Sequence, residues 1–294
     1  MAIVDESAAT WADEDRRIGQ YICGEEIGQS RGTHVIKVRS IHSRVDMALK
    51  MIDLSTRPHS DSVQIALRWK RETSALDKLH HPNVIPIYDA WIEPDDRRAY
   101  IVMKLAEGGS LYHWMHEQQG PLPISVACSY AAQMLDGLHY AHGKRLIHRD
   151  IKPANILLHP NLYHVWLADF GAVKDDELPS ITKQGCVIGT PEYMDPAIAK
   201  GGQPDRRTDV YSVGCLLFEM VTGRLPYDDP QRDPIQIVRK QIFEAVPWAN
   251  EAHRQVNIGL ALIINKAMQK DPDKRYPTAW EFRQALLPFS DEVA

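Results

Sequence analysis

The chain contains no apolar run approaching the length of a bilayer span, so no membrane-crossing helix is expected. Residues 1 to 15 are acidic and lack a basic stretch followed by an apolar one, which argues against a secretory signal. Cysteine is scarce. Cys23, Cys128, Cys186 and Cys215 lie far apart, show no paired metal spacing, and read as reduced thiols of a cytoplasmic protein. Positive charge is not in surplus: 34 Lys and Arg stand against 39 Asp and Glu, for a net charge of −5. That balance gives no bulk electrostatic reason to bind nucleic acid or an anionic membrane. Internal repeats and low-complexity segments are also lacking. What is present is ordinary for a globular protein, with 44% hydrophobic and 25% charged residues. A length of 294 residues is long for one compact domain and suits two lobes.

The texture changes along the chain. Residues 1–19 are polar and read as a flexible extension. Five strands follow, at about 21–28, 33–38, 44–52, 84–91 and 99–105, rich in β-branched residues and alternating, as in Met47, Leu49 and Met51 against Ala48 and Lys50. A capped helix is expected at 63–79, before the break at His81-Pro82-Asn83. After the small residues 106–109 the pattern turns helical. Val126, Tyr130, Met134 and Leu138 recur at four-residue spacing, and 209–221 is apolar nearly all round, as a central buried helix would be. Helices are also expected at 258–268 and 278–286.

The densest chemistry is His148-Arg149-Asp150-Ile151-Lys152-Pro153-Ala154-Asn155, followed shortly by Asp169-Phe170-Gly171. A carboxylate, a cation and two oxygen-bearing side chains suited to a hard metal fall within one short hairpin. Met47-Ala48-Leu49-Lys50 places a lysine on a strand just before the helix that carries Glu72. Taken singly, each has a bland alternative: a surface lysine, a solvated helix face, a capped turn, a turn amide.

Together, in this order and spacing, these motifs resemble a eukaryotic-type (Hanks-type) Ser/Thr protein kinase over about residues 21–289. Several phrases, among them Thr222-Gly223-Arg224-Leu225-Pro226-Tyr227, are similar to bacterial members. The resemblance implies a bilobal α+β kinase fold. Its N-lobe, about 20–105, would be a five-stranded antiparallel sheet plus a helix, and its C-lobe, about 109–289, mainly helical. It implies ATP and Mg²⁺, with Mn²⁺ as an alternative, and protein substrates bearing Ser or Thr. By the same resemblance Asp150 receives the substrate hydroxyl proton, Lys152 contacts the transferring phosphate, and Lys50 holds the α- and β-phosphates while paired with Glu72. Asn155 and Asp169 ligate the metal. Ile27, Gly28, Gly32, Val35, Ala48, Met103, Lys104, Leu105, Ala106 and Leu157 surround the nucleotide. His148 and Phe170 pack in an apolar column with Leu76, and Asp209 braces the catalytic loop. The competing reading is a pseudokinase that binds nucleotide without turnover.

Two places depart from the pattern. The phosphate-covering loop reads Gly28-Gln29-Ser30-Arg31-Gly32-Thr33-His34-Val35, with Ser30 and Thr33 at two positions usually glycine and Gly32 one place early. In Asp195-Pro196-Ala197, Ala197 stands where the family has a glutamate that pairs with an arginine such as Arg275. Arg275 then needs another acceptor, for which Asp195 is the candidate, and a less stable docking segment is expected. Arg149 beside Asp150 implies a loop ordered by phosphorylation. Thr182 is the first candidate and Ser180 the second, with self-association of copies as a route to autophosphorylation. Thr190 reads as a structural contact to Asp150 and Lys152.

Overall fold

The computed structural model describes residues 17–30, 32–43, 45–54, 79–93, 98–118, 120–170 and 190–290. They fall into two compact units. One holds the described residues up to His80 together with Pro86–Leu105, and the other holds His81–Ile85 and the chain from Ala106 onward.

The first unit is a sheet of order β1-β2-β3-β4-β6-β5. Its strands are β1 (Arg17–Ile18), β2 (Tyr21–Ser30), β3 (Thr33–Ser40), β4 (Asp46–Asp53), β5 (Ile87–Ile92) and β6 (Arg98–Lys104), each antiparallel to its neighbours. Alternation decides which face is buried. Tyr21, Cys23, Ile36, Val38, Met47, Leu49, Met51, Tyr100 and Val102 form one core cluster, against which Ile18 and Trp91 pack. Trp91 stacks between Tyr21 and Tyr100, with ring centroids 5.9 and 4.9 Å away.

The sheet has six strands among the described residues where five were expected. The chain turns at Gly19 (φ +58°), pairing Arg17 and Ile18 with Ile22 and Tyr21. A two-residue strand carries no periodicity, so it left no pattern to read. The strand expected at 84–91 starts at Ile87 instead. Val84 bridges Leu167 in the second unit, the Ile85 amide donates to the Leu167 carbonyl at 2.9 Å, and the Leu167 amide donates to Asn83 at 2.9 Å. Most of the helix expected at 63–79 lies outside the described residues. Leu79, its expected last residue, is buried and not helical.

The second unit carries α1 (Leu111–Gln118), α2 (Ile124–Gly143), α3 (Pro196–Ala199), α4 (Arg206–Thr222), α5 (Pro234–Phe243), α6 (Ala249–Ala252), α7 (Ile258–Ala267) and α8 (Ala279–Leu286). It also has the hairpin β7 (Ile156–Leu158) and β8 (Val165–Leu167). Tyr130, Met134 and Leu138 of α2 are buried on the face the sequence marked. Helix α4 is buried nearly all round, starts at a capping box between Asp205 and Thr208, and stops at Gly223 (φ +71°). No helix among the described residues is long and apolar enough to cross a membrane.

Candidate active site

The stretch from His148 to Asn155 is held from beneath by α4. Asp209 is buried, and its carboxylate accepts the His148 amide at 2.9 Å, the Arg149 amide at 2.9 Å and His142 Nε2 at 2.7 Å. Burial alone would raise its pKa, but the hydrogen bond and charge of His142, with the His148 amide, hold it below the usual carboxylate value. Arg149 takes the left-handed conformation (φ +65°), which costs a non-glycine residue ~1–2 kcal/mol. Hydrogen bonds to a charged group contribute ~1.5–3 kcal/mol each, so the Asp209 clamp outweighs that cost.

His148 is fully buried, and desolvation lowers its pKa, so the ring is neutral. Its Nε2–H donates to the Ala168 carbonyl at 2.8 Å, and Nδ1 accepts the Asp150 amide at 3.3 Å, which fixes the tautomer. The ring packs on Phe170 at 4.5 Å. Leu76, the third member of the expected column, lies outside the described residues.

Asp150 Oδ2 accepts Asn155 Nδ2 at 2.7 Å and Lys152 Nζ at 3.0 Å. Asn155 Nδ2 also donates to the Asp150 carbonyl at 2.8 Å, and Lys152 Nζ reaches Thr190 Oγ1 at 3.1 Å. Four side chains thus form one hydrogen-bonded cluster, with Thr190 meeting Lys152 as expected. The turn Pro153–Asn155 delivers Asn155, whose carbonyl accepts the Ala168 amide at 2.9 Å, one residue before Asp169. Nδ2 faces two Asp150 acceptors, so Oδ1 is the side-chain atom Asn155 has left to offer a cation. With the Asp169 carboxylate that makes a hard, all-oxygen donor pair, suited to a small divalent ion that keeps other oxygens in its shell. Leu157 is half-buried on β7 opposite Trp166, between the buried Ile156 and Leu158.

In the first unit, register puts four of the expected residues, Val35, Ala48, Lys50 and Met103, on one face. Val35 is opposite Lys50, Lys37 opposite Ala48, and Ala48 opposite Met103. That face is the reverse of the one carrying the core cluster. Gly28 pairs with Val35, and Ile27 is 41% exposed. The early glycine has a structural reason. Ser30 pairs with Thr33, and just before Thr33 Gly32 takes φ +68° while its carbonyl accepts the Asp53 amide at 2.8 Å. The Lys104 amide donates to the Pro86 carbonyl at 3.0 Å. Leu105 closes the first unit and Ala106 opens the second, where its carbonyl takes the Gly109 amide. Glu72, Ser180 and Thr182 lie outside the described residues.

The docking segment is better anchored than expected. Asp195 and Arg275, each 3% exposed, form a bidentate pair with Nη1–Oδ2 at 2.8 Å and Nη2–Oδ1 at 2.6 Å. Asp195 therefore replaces the carboxylate missing at Ala197, and the expected weakening finds no unpaired arginine to cause it. Sequence reasoning missed His142 and Gln241. The spacing of His142 gives no sign that it meets Asp209, 67 residues on. Gln241 on α5 donates to the Pro191 and Glu192 carbonyls, with no local motif to flag it.

A family model described as protein kinase domain matches residues 21–286. The serine/threonine-protein kinase PknB of Mycobacterium leprae is 33% identical over 275 residues, covering 91% of this chain and 42% of that protein. The serine/threonine-protein kinase PrkC of Bacillus subtilis is 31% identical over 261 residues, covering 89% and 39% respectively. The chain thus spans less than half the length of these relatives. The solved kinase domain of Mycobacterium tuberculosis PknI, in a mutant form, superposes with a TM-score of 0.72 over 93% of this chain and 97% of that one. At 21% identity it speaks for the fold alone.

Proposed function

The chain belongs to the protein kinase family, and from that premise we propose that it transfers the γ-phosphoryl group of ATP to serine and threonine hydroxyls of proteins. The observation that carries the reading is the Asp150–Lys152–Asn155–Thr190 cluster. Asp150 orients the attacking hydroxyl and receives its proton as the new O–P bond forms and the bond from the γ-phosphorus to ADP breaks. Lys152, held by Asp150 and Thr190, sets its ammonium against the charge on the transferring group. Asn155 and Asp169 are the residues that would hold a divalent cation, Mg²⁺ before Mn²⁺. When bound, the cation neutralises phosphate charge. Lys50 is assigned to the α- and β-phosphates with Glu72 as its partner. Val35, Ala48, Met103 and Leu157 are assigned to the adenine, and Gly28 and Gly32 to the covering loop.

The neutral His148 takes no part in proton transfer, because both ring nitrogens are engaged by backbone. For regulation, a phosphate on Thr182, or second on Ser180, would give Arg149 a charge-assisted partner, delivered by another copy of the chain. Both supports of the pseudokinase alternative are weakened. Gly32 serves a left-handed backbone position, and Asp195 serves Arg275. The test is incubation with γ-labelled ATP, Mg²⁺ and dephosphorylated casein, followed by phosphoamino acid analysis, with Asp169→Asn as control. Label on serine or threonine, absent from the control, is expected. ATP binding without any label would refute the reading.

A further inference from the structure

The wall beside Asp150 is the segment Thr190, Tyr193, Met194, Asp195 and Ile198, which lines a hollow together with Arg149 and Asp150. Its first turn, Pro191–Tyr193, is a single 3-10 turn, too short to hold its own place. Gln241, on the facing side of α5, is fully buried. Its Nε2 donates to the Pro191 carbonyl at 2.7 Å and to the Glu192 carbonyl at 2.8 Å. Two acceptors on one nitrogen fix the orientation of the amide. Its Oε1 has no partner among the described residues. A position chosen for stability alone would be apolar here, since a buried acceptor left unbonded is destabilising. Lys270 secures the other end. Its Nζ donates to the Gln241 main-chain carbonyl at 2.5 Å, near the C-terminus of α5, and lies 4.0 Å from the centre of the Tyr227 ring.

We propose that Gln241 is a positioning residue for phosphoryl transfer. It pins the Pro191 and Glu192 carbonyls, so that the adjacent Thr190 stays where its Oγ1 accepts Lys152 Nζ and keeps that ammonium on Asp150. The inference rests on the kinase reading above.

The chain of contacts is directional. Gln241 touches neither Asp150 nor Lys152, and acts through one residue of backbone on Thr190, whose 3.1 Å bond then sets Lys152. Displacing a catalytic group by about 1 Å reduces a rate by up to ~10²-fold. Gln241→Met keeps the volume and removes the donor. With labelled ATP and casein below the melting temperature of the variant, kcat is expected to fall about tenfold with KM for ATP unchanged. In a Thr190→Val background the same change should slow the enzyme no further, because the contact it serves is gone. Gln241→His, which keeps an N–H, should recover most of the loss. Lys270→Met, which leaves the side-chain amide intact, should show a weaker form of the same kcat-only signature, and stands in if Gln241→Met does not fold. Wild-type kcat in both variants, or an equal slowing with and without Thr190, would overturn the proposal. A wild-type chain that labels nothing would instead overturn the kinase reading itself.

Discussion

Removing Asp195 tests most directly how the docking segment is held. In Asp195→Ala, Arg275 keeps its place in the interior but loses its counter-charge. Truncating one partner of a buried ion pair costs ~3–5 kcal/mol. Arg275 retains hydrogen bonds from Nε to the Gln269 carbonyl at 2.7 Å, from Nη1 to Arg207 at 3.0 Å and from Nη2 to Lys270 at 3.3 Å. Those three keep the cost near the lower figure, ~3 kcal/mol. Asp195 Oδ1 also caps α3 by accepting the Ala197 amide at 2.8 Å, and losing a cap adds ~1 kcal/mol. The total of ~4 kcal/mol corresponds to a drop of about 10 °C in Tm at ~2–4 °C per kcal/mol. The companion variant Ala197→Glu should change Tm by less than about 1 °C. Arg275 has five N–H donors and makes five hydrogen bonds, so a new carboxylate finds no donor waiting. Thermal melts followed by circular dichroism decide the matter. A melt of Asp195→Ala within about 2 °C of wild type, or a clear stabilisation by Ala197→Glu, would refute the assignment of Asp195 as the arginine's partner.

Other outcomes follow from the same geometry. Gly32→Ala should cost ~1–2 kcal/mol because φ is +68°, whereas Gly28→Ala should be nearly neutral in stability, its added Cβ meeting Val35 Cβ at 3.6 Å and Cγ2 at 3.8 Å, both ordinary contacts; urea midpoints compare the two. His148 and His81 have pKa values lowered by burial, so between the unfolded value near 6.5 and their folded values the unfolded chain binds more protons and stability falls with acid. Each group contributes up to ~1.4 kcal/mol per pH unit below that point, and His148→Tyr should remove its share of the slope between urea midpoints at pH 7.5 and 5.5. Gly214→Ala on α4 should destabilise despite a helix-propensity gain of ~1 kcal/mol, because the new Cβ would lie 2.9 Å from Ala267 Cβ and 3.0 Å from Met268 Cγ, an overpacking worth ~1–3 kcal/mol. Its kcat below the melt should match wild type, and a raised Tm would show that α7 gives way more easily than close packing allows.

What the sequence revealed followed the distance between partners. Asp150, Lys152 and Asn155 lie within one short string, so their cluster is legible from the order of residues alone. The face shared by Val35, Ala48 and Lys50 followed from strand alternation. Val84 and Ile85 are β-branched and read as strand, yet the Val84 amide donates to the His81 carbonyl and the Ile85 amide to the Leu167 carbonyl, a pairing no local pattern encodes. The Asp195–Arg275 bond spans 80 residues, and sequence could name the two only as candidates. Helix α5 left a usable signal in Asp233-Pro234, a cap followed by proline at the first helical position, but Gln241 on it gains meaning only beside Pro191. The place of Gly32 was in principle readable as turn chemistry, since a left-handed backbone position asks for glycine.

Helix α4 explains why so few polar residues suffice. It is buried almost all round, and several of the polar side chains it carries are tied to segments of the site. Asp209 holds the backbone of His148 and Arg149. Ser212 donates to the Tyr193 carbonyl at 2.9 Å, and Glu219 accepts the Tyr193 hydroxyl at 2.5 Å. Tyr211 lies under the Arg275 guanidinium, 4.8 Å from ring centre to Cζ. The His148–Asn155 stretch, the segment from Thr190 to Ile198 and Arg275 therefore share one rigid rod as support, in addition to the Lys152–Thr190 and Asp195–Arg275 bonds that join them. Burial raises the Glu219 pKa, and that carboxyl sits against the Tyr193 hydroxyl instead of in water, so its placement costs stability that an apolar residue would not. Retaining such groups on an otherwise apolar helix makes sense if position, rather than stability, is what they supply. Gln241 meets the same condition from the opposite side of the Pro191–Tyr193 turn, so that turn is gripped between α4 and α5 at its carbonyls and at its tyrosine.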